Sequence, residues 1–374
     1  LAALLGLAAL ASDGDSAGGV PAHHTGQGFR NLHGEAAVHK GLWPYLKMKW
    51  WDSPFPVPGP HAALAVAPLD RGLLQAPAHP LQVTWLGHAT ALIQSQGMNV
   101  LTDPVLGERA SPLPFIGPRR YTPAPARLED LPTLQVVLIS HNHYDHLERE
   151  TVARLGDRVC WLVPLGLGDW FARLGVHRVV ELDWWQSTQV GDMRFTLTPT
   201  QHWSRRGLLD TDRTLWGGWA MEHHGQRIWF GGDTGYAQPL FQAIGQRLGP
   251  FDLALIPIGG YGPRDFMQDK HVDPDQAVRI HRDLGARRSV GIHWGTFVLT
   301  AEPLDEPPHL LAEALERQGV AADAFTTEPP GRTLAVPLPP LPPARPTASS
   351  ASPSDLQPAN PMGAPHRADQ GCHP

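Results

Sequence analysis

Within eight residues, Ser140-His141-Asn142-His143-Tyr144-Asp145-His146-Leu147, the chain offers three imidazoles and one carboxylate. Neutral imidazole nitrogen and carboxylate oxygen are the donors that suit zinc and similar divalent ions. The stretch follows an apolar run, Val136-Val137-Leu138-Ile139. A continued strand would put His141, His143 and Asp145 on one face and His146 on the other, and a helix would turn His143 away from His141 and Asp145. Only a turn lets all four converge, so the sequence predicts half of a metal site in a loop at a strand's end. The plain alternative is a polar turn that happens to be rich in histidine, and the density of donors speaks against it.

Four further donors sit beside expected strand ends: His202 in Thr198-Pro199-Thr200-Gln201-His202-Trp203, Asp233 in Gly231-Gly232-Asp233-Thr234-Gly235, His271, and His293 in Gly291-Ile292-His293-Trp294-Gly295. Asp233 is the most persuasive, because two glycines before it let a metal and a substrate approach closely. It could instead cap a turn or helix. His202 and His293 taken singly read as hydrogen-bonded structural histidines beside tryptophan, and their arrangement with the histidine loop is what raises them. His271, in a polar loop before Val272-Asp273-Pro274, reads as facing substrate rather than holding metal, the plain alternative being a surface histidine. His88 in Leu86-Gly87-His88-Ala89-Thr90 is expected behind the ligands, orienting one by a hydrogen bond. The doublets His23-His24 and His223-His224 receive no role.

The elements that must carry these side chains alternate. Short β-prone segments at 82–86, 91–94 and 99–102 suggest a meander. The 136–139 strand follows, then a helix near 147–155, a strand at 159–163 and a helix near 168–174. More strands are predicted at 179–182, 194–198, 215–221, 227–231 and 253–257. Helices are predicted at 239–247, 274–284 and 308–318, each begun by a proline at a permitted early position. Strands alternating with helices indicate an α/β architecture, with regular structure beginning near Leu81.

Composition narrows the function classes. At 374 residues, 42% hydrophobic and 18% charged, the chain has ample material for a core. A formal charge of -6 and the lack of a Lys/Arg-rich block argue against a nucleic-acid binder working through a basic surface. Two cysteines, Cys160 and Cys372, cannot make a disulfide framework, and Cys160 reads as a small buried hydrophobe. Leu1 to Ala11 resembles the apolar region and small-residue cleavage site of a secretory signal, without a basic leader. Residues 12–28 have a linker composition. Leu42 to Trp51, LWPYLKMKWW, interleaves tryptophan with lysine, as at a membrane interface. Pro44 favours instead an arm packed on the main domain. Beyond Ala335 a Pro/Ser/Ala tail cannot order itself by burial. The expected division is 1–28 as a signal-like segment, 29–80 as an arm, 81–336 as the catalytic domain and 337–374 as the tail.

With these residues in place, the chain resembles the metallo-β-lactamase superfamily, whose His-x-His-x-Asp-His pattern matches His141, His143, Asp145 and His146. It is more closely similar to the N-acyl-phosphatidylethanolamine-hydrolysing phospholipase D family. The segments LISHNHYDHL, VPLGLGDWF, ELDWW, TPTQHWSRRGL, TLWGGW, FGGDTGY, FDLALIPIGGY and GIHWGTFVLTAEPLDEPP carry that likeness, in order, between Phe29 and Val336. The resemblance implies a four-layer αββα sandwich and two zinc ions. His141, His143 and His202 would hold one ion, Asp145, His146 and His293 the other, and Asp233 would bridge them. Two cations sharing a carboxylate can also share a hydroxide able to attack phosphorus. Asp145, Asp233 and His271 are the implied catalytic set, with His271 binding phosphate or helping to protonate the leaving alkoxide. The implied reaction converts N-acyl-phosphatidylethanolamine to phosphatidic acid and an N-acylethanolamine.

Two other readings stand beside it. One is a related metal-dependent lactonase or phosphodiesterase with a soluble substrate; a polar groove would favour it and an apolar groove the lipid. The other is a binding protein on the same fold that has lost its chemistry, which the presence of all seven candidate ligands opposes. The expected partners are a phospholipid substrate, a peripheral membrane contact and a second copy in a homodimer, with no nucleic acid. Location is expected to be export to a periplasmic or membrane-associated site, or otherwise the cytoplasm with membrane association.

Overall fold

A computed structural model of the chain describes residues 20–33, 42–47, 50, 55, 63–337 apart from 114, and 372. A short hairpin comes first, β1 (His24–Thr25) and β2 (Gly28–Phe29), followed by two short helices, α1 (Leu42–Lys47) and α2 (Arg71–Gln75). The first half of the domain then runs β3 (Leu81–Gly87), β4 (Thr90–Ser95), β5 (Met98–Thr102), β6 (Val136–Leu138), α3 (Arg149–Leu155), β7 (Cys160–Pro164), α4 (Gly168–Ala172) and β8 (Val179–Leu182). The second half runs β9 (Ser187–Val190), β10 (Met193–Thr198), β11 (Gly218–His223), β12 (Gln226–Phe230), α5 (Gln238–Leu248), β13 (Leu253–Pro257), α6 (Arg264–Met267), α7 (Pro274–Asp283), β14 (Arg288–Ile292), α8 (Glu306–Gln318) and β15 (Phe325–Thr326). A last strand, β16 (Thr333–Ala335), returns to the first half.

Each half builds a seven-stranded mixed sheet, in the orders β16-β3-β4-β5-β6-β7-β8 and β15-β14-β13-β12-β11-β10-β9. Neighbours from β3 to β5 and from β9 to β12 pair antiparallel, through tight turns except for the long loop between β10 and β11. Later neighbours pair parallel, which requires long crossovers. Alternation within the strands sets the layers. Val83, Trp85, Ile93, Val100, Val136, Leu138 and Leu162 face one large core shared with the second sheet. Leu92, Leu101, Val137, Trp161 and Val163 face the opposite way, onto Val152 and Leu155 of α3 and Phe171 of α4. On the far side, Leu240, Phe241 and Ile244 of α5 and Val278 and Ile280 of α7 cover the second sheet. The result is the α/β, four-layer αββα sandwich expected.

Several sequence expectations are corrected. Residues 24–29 form a hairpin rather than a continuous linker, because Phe29 N–H donates to Asp212 O and His23 and His24 are tied to Asp183. Order therefore precedes Leu81. Trp43 and Trp50 are 68% and 63% exposed, so the domain does not bury these two rings. Cys160 is fully buried, as expected, but it is disulfide-bonded to Cys372 across 212 positions. No local spacing could announce a partner that distant. The signal-like residues 1–11 and the tail 338–371 lie outside the described residues. Among the described residues no helix is long and apolar enough to cross a membrane.

Candidate metal centre

Parallel strands end on one side of the sandwich, and their exits deliver the chemistry. Asp103 follows β5, the histidine loop follows β6, Asp233 follows β12 and His293 follows β14. His202 comes from the loop after β10, and His88 from the β3–β4 turn. Beyond Ile139 the chain turns, with His146 N–H and Leu147 N–H both donating to His143 O at 3.1 and 2.9 Å. Arg206 fastens that turn by donating from Nη1 to Asn142 O and Leu147 O at 2.9 and 2.8 Å. The predicted loop is therefore a closed turn with its imidazoles facing inward.

All seven sequence-predicted ligands converge, in two groups. In the first, His141 Nε2 lies 2.8 Å and His202 Nε2 3.4 Å from His143 Nδ1. In the second, Asp145 Oδ2 lies 3.4 Å from His146 Nε2 and 3.5 Å from His293 Nε2. Asp233 stands between them: Oδ2 is 3.9 and 3.7 Å from His141 and His202 Nε2 and 3.2 Å from His146 Nε2, and Oδ1 is 3.1 Å from His293 Nε2. His88 Nε2 meets Asp145 Oδ2 at 3.0 Å, as expected of a group orienting a ligand, though it also groups with Asp145, His146 and His293 as a donor. His271 lies outside both groups, with Nδ1 3.9 Å from Asp233 Oδ2.

These atoms fit cations better than they fit one another. His146 Nε2, His293 Nε2 and Asp233 Oδ1 are buried without a well-formed hydrogen bond, an arrangement that costs free energy unless something else satisfies them. Burial and neighbouring imidazoles hold His141 and His202 well below the ordinary histidine range, and burial holds His143 down to about 3. Such rings keep a lone pair for a metal at neutral pH. Burial also works against charge on His146 and His293, but Asp233 and Asp145 overcome it, raising His146 well above its usual value and His293 to about 9. Concentrated negative charge here attracts positive charge of any kind.

Apart from His88, sequence reasoning missed the groups that aim these side chains. Asp103 is fully buried and accepts from His146 Nδ1 at 2.6 Å, from Ser140 N–H at 2.7 Å and from Ser140 Oγ–H. His202 Nδ1 is set by Lys270 O at 2.9 Å. Asn31, two positions past β2, brackets His202's main chain: its amide donates to His202 O at 2.8 Å and accepts from His202 N–H at 3.2 Å. The signal for Asp103 was available, since it follows an apolar strand just as Asp233 does. Three members of the region adopt left-handed backbone angles that non-glycine residues disfavour: His88 at φ 53°, Asp103 at φ 32° and His293 at φ 62°.

Comparisons with known proteins agree with this geometry. Residues 98–294 match the model of the Beta-lactamase superfamily domain. The chain is 44% identical over 261 residues to N-acyl-phosphatidylethanolamine-hydrolyzing phospholipase D 1 of Caenorhabditis elegans, covering 66% of this chain and 73% of that protein. It is 38% identical over 257 residues to the mitochondrial N-acyl-phosphatidylethanolamine-hydrolyzing phospholipase D of Saccharomyces cerevisiae, covering 67% and 55%. Among solved structures, a metallo hydrolase from the archaeon Ignicoccus hospitalis superposes with a TM-score of 0.52 at 21% identity, over 68% of this chain and 97% of that one, which bears on the fold alone. The chain is therefore a metal-dependent hydrolase and belongs to the beta-lactamase superfamily and, within it, to the family of N-acyl-phosphatidylethanolamine-hydrolysing phospholipases D.

Proposed function

We propose that this chain hydrolyses the phosphodiester of N-acyl-phosphatidylethanolamine, giving phosphatidic acid and an N-acylethanolamine, with two zinc ions as cofactors. The observation that carries the reading is Asp233, whose two oxygens face both donor groups at once. His141, His143 and His202 would hold one ion, Asp145, His146 and His293 the other, and Asp233 both. Ions held there supply Lewis acidity toward a phosphoryl oxygen and acidify water. The chain's own part is to fix the donors and receive the substrate. Asp103 accepts a hydrogen bond from His146 Nδ1–H, which leaves Nε2 as the donor atom.

His271 is the group suited to the phosphate. Its ring is largely buried, its Nδ1 has no hydrogen bond, and burial lowers its pKa to about 4. It is neutral at pH 7, which suits donation of a hydrogen bond to a phosphoryl oxygen better than service as a cationic acid. Gly260 makes room for it: a Cβ there would stand 2.8 Å from His271 Nδ1.

The lipid substrate draws support from the named relatives and from exposed apolar residues on two loops. Phe115, Ile116, Leu208 and Leu209 are 74%, 57%, 87% and 89% exposed, and the last two follow Arg206, which packs over Tyr144. We read these loop tips as the peripheral membrane contact. The adjoining groove, about 1430 Å³, mixes Leu113, Trp170 and Leu174 with Arg109, Arg149 and Arg206. Its charged half also favours a second reading, a soluble phosphodiester. The Cys160–Cys372 disulfide supports the exported location, because disulfides persist in oxidising compartments.

The test is metal content of the purified protein together with hydrolysis of N-acyl-phosphatidylethanolamine in detergent micelles before and after chelation. Two zinc ions in the ligand cluster and chelator-sensitive release of N-acylethanolamine are expected. Metal without lipid turnover, but with turnover of soluble phosphodiesters, would overturn the lipid reading and keep the hydrolase.

A further inference from the structure

A second set of metal-type donors lies outside the cluster around Asp233. His23 and His24, adjacent in the N-terminal hairpin, aim Nε2 at the two oxygens of one carboxylate: His23 at Asp183 Oδ1, 2.6 Å, and His24 at Asp183 Oδ2, 2.8 Å. The three donor atoms lie within 4.8 Å of one another. His23 and Asp183 are each 6% exposed, and the His24 side chain is 25% exposed, which leaves one open side for an ion and its water.

Asp183 and His23 are also held by groups outside the trio, as metal ligands are. Asp183 sits just past β8; its Oδ1 accepts from Trp184 N–H at 2.7 Å, and its own N–H donates to Gln186 Oε1 at 2.9 Å. The His23 ring stacks on Trp184 with centroids 4.4 Å apart and meets His24 edge-on at 4.6 Å. Two imidazoles and one carboxylate form a donor set that borderline divalent cations accept, whereas magnesium and calcium prefer oxygen alone. A similar doublet, His223 and His224 on Asp192, differs in being open: Asp192 and His224 side chains are 61% and 49% exposed, and His223 Nδ1 is engaged by Ser95.

We propose that His23, His24 and Asp183 form a separate site for a zinc-like divalent cation that fastens the N-terminal hairpin to the end of β8. The ion acts on the catalytic side of the molecule through Asn31, a positioning residue on the same segment that brackets the main chain of His202. Occupancy therefore orders residues 21–31 and steadies one ligand of the other centre.

The test uses the full chain, stripped with chelator, reloaded with excess zinc and desalted. Mass-spectrometric metal analysis is expected to give one ion fewer per chain for His24→Ala than for the unmodified protein. Crystals of the zinc-loaded unmodified protein are expected to show an anomalous peak at the zinc edge between His23 Nε2, His24 Nε2 and Asp183. Diffraction needs no variant, so it decides the matter even if His24→Ala folds poorly or loses a second ion. Anomalous peaks confined to the cluster around Asp233 would overturn the proposal and leave a plain hydrogen-bonded clamp.

Discussion

Asp103 steadies the cluster from behind, and its removal separates aiming from ligation. Replacing it with alanine frees His146 Nδ1 and Ser140 together, and zinc affinity is expected to fall roughly 10- to 100-fold. Competition with a chromophoric chelator measures this. Asp233→Asn keeps the size of the side chain but removes the charge shared by both donor groups. Turnover of the metal-loaded enzyme is expected to drop at least about 100-fold with an unchanged circular dichroism spectrum, and full activity would sink the bridging role. The converging side chains of the histidine loop were legible in the sequence because imidazole and carboxylate side chains packed into six positions have few other uses. Asp103 could be picked out by its place after an apolar strand, but its role, like those of Ser140 and Asn31, could not, because it lies in what they touch across 43, 37 or 171 positions.

The exits of β6 and β12 are in contact, and that contact depends on a glycine. Gly232 adopts φ 57°, and a Cβ there would stand 2.4 Å from Ser140 Cβ. Gly232→Ala forces apart the loops that carry His141 and Asp233. A loss of about 1–3 kcal/mol in urea unfolding is expected, with weaker zinc retention on gel filtration. At this scale most of the architecture was legible: the strands at 179–182 and 253–257 fall where the pattern puts them. β9 escaped notice because only Val190 of its four residues is buried, so an edge strand of Ser, Thr and Gln shows little alternation. β1 and β2 have two residues each, too few for any period.

Two contributions belong to the whole molecule. His281 of α7, hydrogen-bonded to Ser289 Oγ at 2.8 Å and stacked near Phe325, is pushed down to about 4 by burial and by Arg282. Between its unfolded value near 6.5 and that folded value, the unfolded chain takes up a proton that the folded chain refuses. Its penalty is thus absent above about pH 6.5 and grows as pH falls toward 4, reaching on the order of 3 kcal/mol. Urea midpoints from pH 7 to pH 4 should decline less for His281→Gln than for the unmodified protein. The disulfide closes 212 positions, and Cys372→Ser is expected to cost about 2–4 kcal/mol in denaturant unfolding while leaving zinc stoichiometry intact. An equal midpoint for the two proteins would remove the disulfide from the stability of the domain.

The strand order has a further consequence for synthesis. β3, one of the earliest strands made, pairs on one side with β16, one of the last, in the register Thr84 with Thr333. The outer edge of β3 therefore stays unpaired while the whole second sheet is translated, and an open edge recruits foreign strands. Protection of the nascent chain must come from outside until β16 leaves the ribosome.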